Sequence, residues 1–462
     1  MIIGGGPGGY EAALVAAQLD ADVTLVEADG AGGACVLSDC VPSKTFIASS
    51  EIVTGYRHNE SFGVRSTGLS GVEVDAVAVN NRVKKLALAQ SGDIQTKLIK
   101  AGVDVVHGRA RLGEDTLGHT HQVLISSHGG DSYAVDASTV LLATGATPRV
   151  LPTAVPDGER ILDWRQVYDL TELPEHLIVI GSGVTGAEFA SAYLAMGVQV
   201  TLVSSRERVM PHEDADAAMA IERVFRDRGM TILNQSRAAS VENTGDGVRV
   251  TLTDGRTVDG SHALMAVGAV PNTADLGLRE YGVDVADGGY VTVDRVSRTN
   301  VPGIYAAGDC TGVLPLASVA AMQGRIAIWH AMGEAVAPLR LRTVSANVFT
   351  DPELATVGVS QNEMDAGKVP GRQVMLPLTG NARAKMAGLQ DGFVKLFCRP
   401  ATGQIFGGVV VAPKASELIL PITMAVENNL TVDQLAHTIT IYPSLSGSIA
   451  EAARQLMQHG LQ

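Results

Sequence analysis

The apolar, glycine-rich and polar segments at the start of the chain predict a strand, a turn, a helix and a second strand. Apolar residues 2–3 precede a glycine-rich turn at residues 4–9. An alanine-rich stretch over residues 10–19 predicts a helix, and the apolar run 23–26 predicts a strand that leads into Glu27. Strands joined by a helix in this way lie parallel in one sheet, so the segment predicts an α/β fold with a doubly wound sheet.

The same pattern returns in the middle of the chain. Residues 177–180 and 198–203 read as strands, residues 181–186 as a glycine-containing turn, and residues 187–196 as a helix. The second copy leads into Ser204, where the first leads into Glu27. Two such units predict two Rossmann-like domains, and a chain of 462 residues leaves room for a third domain at about 150 residues per domain.

Both turns carry three glycines at the spacing that suits a bound dinucleotide. The first glycine permits a tight bend, the second lets the backbone approach a pyrophosphate, and the third lets the helix pack on the strand. The helix N-terminus then faces the phosphates. The alternative is a pair of ordinary turns without a ligand. The predicted cofactor-binding residues are Gly4, Gly6, Pro7, Gly8 and Gly9 in the first turn, and Gly181, Ser182, Gly183, Val184, Thr185 and Gly186 in the second.

In each of the two units, the residues after the second strand indicate which nucleotide binds. Glu27 is placed to bond the ribose hydroxyls of an adenosine, as in FAD or NAD. In the second copy Ser204 and Ser205 replace the acid, and Arg206 and Arg208 follow. Loss of the acid and gain of cations favour a 2′-phosphate, so we predict that NADPH is preferred to NADH. The alternative is that both arginines are solvated loop charges.

Composition narrows the classes of function. Acidic residues number 49 against 35 Lys and Arg, a net charge of −14, which makes nucleic-acid binding through basic clusters a poor hypothesis. The chain starts without the basic and apolar regions of a secretory signal, and no long apolar window predicts a membrane span. The default expectation is the cytoplasm, where thiols are kept reduced. Only three residues precede Gly4, so we expect the natural chain to start further upstream.

Cys35 and Cys40 are a candidate redox pair. Four residues separate them, and Pro42 suits the first turn of a helix. A thiolate near a helix N-terminus is stabilised by the helix dipole, which lowers its pKa. Zinc would need two further ligands at suitable spacing, so no metal site is predicted. The alternative is a pair of inert buried cysteines, as is expected for Cys310 and Cys398.

The two glycine turns and the run from Cys35 to Lys44 resemble the flavoprotein disulfide reductases, which are class I pyridine nucleotide-disulfide oxidoreductases. The likeness spans nearly the whole chain. The resemblance implies a homodimer with FAD as its cofactor and NAD(P)H as its co-substrate. It also implies an FAD-binding domain in two segments (residues 1–150 and 274–338), an NAD(P)-binding domain (151–273) and an α+β dimerisation domain (339–462).

The resemblance assigns roles to individual residues. Cys40 would be the charge-transfer thiol beside the flavin, and Cys35 the interchange thiol that faces the substrate. Lys44 would pair with Glu188 close to flavin N5, where hydride arrives, and Asp309 would bond the ribitol chain. The alternative for Lys44 and Glu188 is two unconnected surface charges. Further implied cofactor contacts are Ala28, Gly33, Ala34, Ala110, Thr144, Gly145, Val267, Gly268, Leu316 and Ala317.

One departure from the family bears on the electron acceptor. The disulfide-reducing members carry a C-terminal histidine and glutamate that supply acid–base catalysis across the dimer interface. Tyr442 and Gly447 stand at these two positions here. A phenol with a pKa near about 10 is a poor proton carrier at pH 7, and His437 is expected to face elsewhere. Efficient reduction of a disulfide substrate is therefore not expected.

The residues that the resemblance assigns to the reduction of FAD by NAD(P)H are retained. A quinone can take electrons from reduced flavin without thiol interchange. Residues 39–49, 184–189 and 441–448 resemble the actinobacterial NAD(P)H:quinone reductases of this family. We predict electron transfer from NAD(P)H through FAD to a quinone, with protons from water or Tyr442. Because Cys35 is present, a thiol relay stays open. The alternatives are a dihydrolipoamide-dehydrogenase-like disulfide reductase, a transhydrogenase, and a non-catalytic flavin redox sensor.

Overall fold

The computed structural model describes residues 1–57, 62–64, 73–114 and 120–458. The strands are, in chain order, β1 (Ile2–Ile3), β2 (Thr24–Glu27), β3 (Asp104–Leu112), β4 (His121–Ser127), β5 (Ser132–Ala137), β6 (Val140–Leu142), β7 (Ala146–Pro148), β8 (Ile161–Asp163), β9 (His176–Ile180), β10 (Gln199–Val203), β11 (Thr231–Leu233), β12 (Ala238–Asn243), β13 (Val248–Leu252), β14 (Thr257–Gly260), β15 (His262–Met265), β16 (Ala269–Pro271), β17 (Ile304–Ala306), β18 (Ser345–Val348), β19 (Glu353–Gly358), β20 (Arg372–Pro377), β21 (Phe393–Cys398) and β22 (Ile405–Ala412).

Thirteen α-helices are described along with these strands. They are α1 (Pro7–Gln18), α2 (Gly33–Leu37), α3 (Cys40–Arg57), α4 (Ala76–Lys100), α5 (Val184–Met196), α6 (Ala215–Asp227), α7 (Ala317–Ala331), α8 (Gln361–Asp365), α9 (Ala382–Met386), α10 (Ala415–Leu418), α11 (Leu420–Glu427), α12 (Val432–Ala436) and α13 (Gly447–Gln458). Among the described helices, none is long and apolar enough to cross a membrane.

The first sheet has the strand order β17–β6–β1–β2–β3–β4–β5. β1 lies between β2 and β6 and pairs in parallel with both, and β17 pairs in parallel with β6. Buried apolar strands of this kind are typical of sheets covered on both faces. Because β17 comes from residues 304–306, two separate stretches of sequence build this sheet, as the resemblance implies. The domain boundaries themselves stay a prediction.

The second sheet has the order β11–β10–β9–β15–β8, with parallel pairing throughout. It repeats the first unit, because β9, α5 and β10 follow one another as β1, α1 and β2 do. Both helices begin three residues before the predicted start, at Pro7 and Val184. The last residues of each glycine turn therefore form the first helical turn, and proline at this position suits a helix start.

The C-terminal part is an antiparallel sheet with the order β18–β19–β22–β21–β20, packed against α10 to α13. Lys395 of β21 is buried and bonds Asp214 and Asp216, which lie at the start of α6, with Nζ–Oδ2 distances of 2.9 and 2.7 Å. This ion cluster joins the second parallel unit to the C-terminal sheet. The mixed α/β architecture with an added α+β portion confirms the predicted fold class.

Candidate active site

The first glycine turn is shaped by close backbone approaches. Gly4 has φ +103°, and a Cβ there would lie 2.3 Å from the carbonyl oxygen of Ala143. A Cβ on Gly9 would lie 1.8 Å from the carbonyl oxygen of Gly4, so the helix packs directly on the strand end. A Cβ on Gly6 would meet nothing within 4 Å. Gly6 is the open member of the turn and stands at the N-terminus of α1, where anions bind.

The second turn reproduces this geometry. Gly181 has φ +108°, and a Cβ there would lie 2.1 Å from the carbonyl oxygen of Ala266. A Cβ on Gly186 would lie 1.9 Å from the carbonyl oxygen of Gly181, whereas one on Gly183 would meet nothing within 4 Å. Gly183 caps α5 as Gly6 caps α1. The two turns therefore have the same geometry, and we refer to them as the first and the second cradle.

A cavity of about 420 Å³ opens beside the first turn and contains most of the predicted FAD contacts. A second cavity of about 440 Å³ shares Gly4, Glu27 and Thr144 with it and is lined by Ala28 and Ala110. Because the two cavities share wall residues, they adjoin, and their combined space suits a dinucleotide such as FAD. The predicted residues on the first wall are Gly4, Gly6, Pro7, Gly8, Glu27, Gly33, Ala34, Cys35, Cys40, Thr144, Gly145, Asp309 and Ala317.

Glu27 connects the first turn to the strand beside it. Its side chain is buried, and its carboxylate accepts hydrogen bonds from the backbone N–H groups of Gly5 and Asp29. Because Glu27 lines both cavities, it stands where an adenosine ribose of FAD would be bonded. That ribose contact stays a prediction.

Some predicted contacts lie away from the cavities or face inwards. Leu316 precedes α7 and lies on neither of the two cavity walls. Ser204 is completely buried, and its hydroxyl lies 2.7 Å from that of Ser182. The contact between Ser182 and Ser204 therefore connects the second turn to the end of β10. Ser205 and Arg206 are the exposed residues at this strand end, whereas Arg208 donates to the carbonyl oxygen of Pro211 at 3.3 Å.

Cys35 lies in α2, and Cys40 lies at the start of α3. Both are half-buried thiols, and both line the first cavity. A hydrogen bond between the two sulfur atoms lowers the pKa of the Cys35 thiol and raises that of the Cys40 thiol. Cys40 is the first residue of α3, and Pro42 lies in the first turn, as the sequence predicted. The contact therefore favours ionisation of Cys35 over that of Cys40.

Lys44 and Glu188 form an ion pair between α3 and α5, with 2.8 Å between Nζ and Oε2. The other carboxylate oxygen of Glu188 accepts a hydrogen bond from the backbone N–H of Phe349 at 2.9 Å. The ring of Phe349 lies 4.8 Å from Lys44 Nζ. Burial acts to lower the pKa of Lys44. The nearby carboxylate of Glu188 acts in the opposite direction, and the Lys44 pKa is raised above its ordinary value.

Sequence reasoning did not single out several residues of this site. Asp39, next to Cys40, lines the first cavity, and burial raises the pKa of its carboxyl. Trp164 and Arg165 line the same cavity from the segment after β8. An acid beside a reactive cysteine is a signal that could have identified Asp39. Phe349 had no such signal, because 161 residues separate it from Glu188.

Tyr442 lies apart from the thiol cavity within one chain. Its side chain is 86% exposed, and it lines a different surface cavity with Asn381 and Ser444. His437 is exposed, and its Nδ1 lies 2.8 Å from the backbone carbonyl oxygen of Asp433. Within one chain the His437 side chain therefore faces outwards, and its predicted absence from the active site stays a prediction.

The remaining cysteines lie in the interior of the fold. Cys310 follows Asp309 and is completely buried, and its thiol donates to the carbonyl oxygen of Ala307 at 3.3 Å. Cys398 ends β21 and is also completely buried. Both are therefore core residues, as the sequence predicted.

Comparison with known proteins covers both halves of the chain. Residues 1–324 match the pyridine nucleotide-disulphide oxidoreductase family, and residues 344–453 match its dimerisation domain. The chain is 58% identical to an NAD(P)H dehydrogenase (quinone) of Mycobacterium tuberculosis, over 99% of this chain and 94% of that protein. It is 33% identical to a dihydrolipoyl dehydrogenase of Chlamydia pneumoniae, over 100% and 97%.

Solved structures agree with this assignment. The crystal structure of LpdA from Mycobacterium tuberculosis superimposes with a TM-score of 0.94 at 58% identity, over 99% of both chains. The flavoprotein disulfide reductase RclA from Escherichia coli superimposes with a TM-score of 0.85 at 24% identity, over 98% of both chains, which supports the fold alone. The chain belongs to the pyridine nucleotide-disulphide oxidoreductase family.

Proposed function

We propose that this protein transfers electrons from NAD(P)H through FAD to a quinone. The observation that carries the proposal is a contrast within the site. The residues of the flavin half, among them the Lys44–Glu188 pair, are present and in contact. At the two positions where the resemblance implies the histidine and glutamate that serve disulfide substrates, this chain has Tyr442 and Gly447. The similarity to a mycobacterial NAD(P)H dehydrogenase (quinone) supports the same acceptor class.

The first cradle and the joined cavities fit FAD. Gly6 and Pro7, at the start of α1, would hold its pyrophosphate, and Glu27 would bond the adenosine ribose. Asp309, on the same cavity wall, would bond the ribitol chain. FAD supplies a carrier that takes two electrons from a nicotinamide and passes them on. Cys35, Cys40 and Asp39 lie along the wall of this space.

The second cradle would hold the nicotinamide nucleotide. Gly183 offers open backbone at the N-terminus of α5, and Glu188 lies further along the same helix. One helix would thus bind the pyrophosphate and present the carboxylate that orients Lys44. The Lys44–Glu188 pair would keep a fixed positive charge where hydride arrives. Phe349 restricts the movement of both side chains.

The surface beyond β10 supports a preference for NADPH. Ser205 and Arg206 are exposed, and the Arg206 guanidinium makes no hydrogen bond or ion pair within the described part of the chain. An exposed cation just beyond the position of a ribose-binding acid is suited to a 2′-phosphate. Arg208 is held by backbone carbonyl groups and supports the loop.

A homodimer is part of this proposal. The chain contains a dimerisation domain over residues 344–453. Ile439, Ile441 and Tyr442 are each at least 80% exposed and form an apolar run before α13. Large exposed apolar residues of this kind mark an interaction surface. A second copy would cover them and would bring Tyr442 towards its active site, as the resemblance implies.

A disulfide substrate is the second candidate, because Cys35 and Cys40 are close together on the cavity wall. An acceptor panel with flavin-loaded protein separates the two functions. Steady-state rates with NADPH and NADH would be compared for a short-chain quinone, lipoamide, glutathione disulfide and an oxidised nicotinamide analogue. We expect the quinone rate to exceed the disulfide rates by about 100-fold or more, since a missing acid–base group costs about 10²–10⁴-fold. Lipoamide turnover equal to quinone turnover would contradict the proposal.

A further inference from the structure

Asp39 occupies the junction between the two cysteines. Its backbone N–H donates to the carbonyl oxygen of Ala34, and its own carbonyl accepts from the N–H of Ser43, each at 2.8 Å. These bonds fix its position between α2 and α3. Its side chain lines the first cavity together with Cys35 and Cys40. Asp39 therefore lies beside both thiols on the cavity wall, where a molecule that approaches them from the cavity would meet its carboxyl.

The Asp39 carboxyl has no hydrogen-bond or ion-pair partner in the described part of the chain. The nearby cation, Lys44, bonds Glu188 instead. Glu188 in turn uses both of its oxygen atoms, for Lys44 and for Phe349. Among the carboxyl groups around the thiols, Asp39 therefore remains available to a molecule that enters the cavity.

The surroundings favour the protonated form of Asp39. The charged groups that act on its carboxyl are Glu188 and, in the opposite sense, Lys44. Cys35, Cys40, Asp309 and the phenol of Tyr168 lie close enough for the charge of Asp39 to act on them. Burial comes first among the causes that raise its pKa, and Glu188 adds to it. Several groups that can carry negative charge lie around a single lysine. Nearby negative charge favours the neutral, protonated form of a carboxyl group.

The other proton carriers are less suitable. Asp309 is required by the proposed contact with the cofactor. Tyr442 is exposed in this chain and would act only in a dimer. Tyr168 is buried with its hydroxyl unpartnered among the described residues, but it does not line the first cavity.

We propose that Asp39 is the catalytic acid that protonates the quinone, an inference that rests on the proposed function. Conversion of a quinone to a hydroquinone takes up two electrons and two protons. NAD(P)H supplies the electrons and one proton as a hydride equivalent. The carboxyl O–H of Asp39 breaks as an O–H bond forms on the quinone oxygen. The resulting carboxylate regains its proton from water, so the reaction consumes one proton from solution.

The test compares flavin-loaded wild-type protein with Asp39→Asn, and with Asp246→Asn as a control at an exposed turn. A short-chain quinone and ferricyanide serve as acceptors, because ferricyanide takes up an electron without a proton. We expect Asp39→Asn to lower quinone turnover about 100-fold or more. Ferricyanide turnover and the rate of flavin reduction by NADPH should stay within twofold. Asp39→Glu should recover part of the quinone rate.

A second measurement does not depend on turnover. Infrared spectra of the oxidised holoenzyme, recorded over a pH series, should contain the carbonyl band of a protonated carboxyl that Asp39→Asn lacks. In the wild type this band and the quinone rate should both fall as the pH rises through the same midpoint, while ferricyanide turnover stays level. The spectrum also tests the assignment if Asp39→Asn folds poorly, because the wild-type band and rate must still fall together.

The outcomes separate the two proposals. If Asp39→Asn reduces the quinone at the wild-type rate, or loses turnover with both acceptors equally, the role of Asp39 is overturned. The proposed function still stands in either case. Wild-type protein that reduces ferricyanide but no quinone contradicts the proposed function and this role together. A quinone rate that falls without any loss of a carboxyl band also overturns the assignment of Asp39 as the acid.

Discussion

The ammonium group of Lys44 lies 2.8 Å from the carboxylate of Glu188, although 144 residues separate them in the chain. Glu188 is 3% exposed, so its charge depends on this contact and on the backbone N–H of Phe349. The pair connects the helix that begins with Cys40 to the helix that begins at the second glycine turn. It therefore links the thiol cavity to the expected nicotinamide site.

Glu188→Gln should slow the reduction of bound flavin by NADPH. The amide keeps the bond to Phe349 but leaves Lys44 without a counter-charge, at a cost of about 1–3 kcal/mol, or about 5- to 150-fold in rate. Stopped-flow bleaching of the flavin measures this step. Glu51→Gln is the matched control, because Glu51 lies on α3 and pairs with exposed Lys414. An unchanged rate in Glu188→Gln would remove the residue from the site.

Cys35→Ser should leave quinone turnover within several-fold of wild type, because the proposed route passes directly from flavin to quinone. Turnover with lipoamide, if any is measurable, should be lost. Steady-state rates at equal flavin content provide the comparison, with Cys398→Ser as a control at a buried position outside the cavity. A collapse of quinone turnover would place the thiols in the main electron path.

The reduced thiol pair should have an asymmetric response to pH. Donation of a hydrogen bond by Cys40 lowers the Cys35 pKa, so alkylation of Cys35 should begin below the usual thiol range near about 8.5. Cys40→Ala removes the donor and should move the alkylation profile to higher pH. Mass spectrometry after timed iodoacetamide treatment follows Cys35 alone. A profile that stays in place would show that the hydrogen bond does not set this pKa.

Arg206→Ala should raise the KM for NADPH more than that for NADH. The exposed guanidinium is the cation available to a 2′-phosphate, and a charge-assisted contact contributes about 1.5–3 kcal/mol, or about 10- to 150-fold. Arg249→Ala is the control, since Arg249 is exposed and paired with Asp259 on a distant hairpin. Equal changes for both nucleotides would contradict the proposed preference.

Lys395→Met should destabilise the protein. The substitution leaves the buried Asp214 carboxylate without its cation, and such a loss costs about 3–5 kcal/mol. Thermal unfolding of the holoenzyme, followed by flavin release, measures the change. Lys414→Met breaks an exposed pair with Glu51 and should cost at most about 1 kcal/mol. Similar Tm values for the two variants would show that the buried cluster contributes little.

The local sequence pattern was sufficient to predict the strands and the helix around each glycine turn. It placed the start of both helices three residues late. Glycine and proline indicate a turn in a sequence read by itself. In the fold, the third glycine packs against the carbonyl of the first glycine, and Pro7 or Val184 begins the helix. The spacing of the glycines was nevertheless enough to locate the two cradles, because the same steric limits apply wherever this turn forms.

Ser204 shows what local pattern could not decide. The sequence places it after a strand, in the position of an acid that would face a ribose. The structure turns its hydroxyl inwards to Ser182 and leaves Ser205 and Arg206 at the surface. A side chain at a strand end can face either way, and packing against the neighbouring turn decides which.

The sequence by itself determined the α/β class, the two dinucleotide turns and the redox-active cysteine pair as a candidate, because each depends on residues close together in the chain. Only the tertiary structure decided which distant groups meet. It brought Phe349 to Glu188, Lys395 to Asp214, and Asp39, whose carboxyl has no partner among the described residues, to the cavity wall. The physical reason is that a buried charge is set by its spatial neighbours, and these come from separate elements that no local pattern relates.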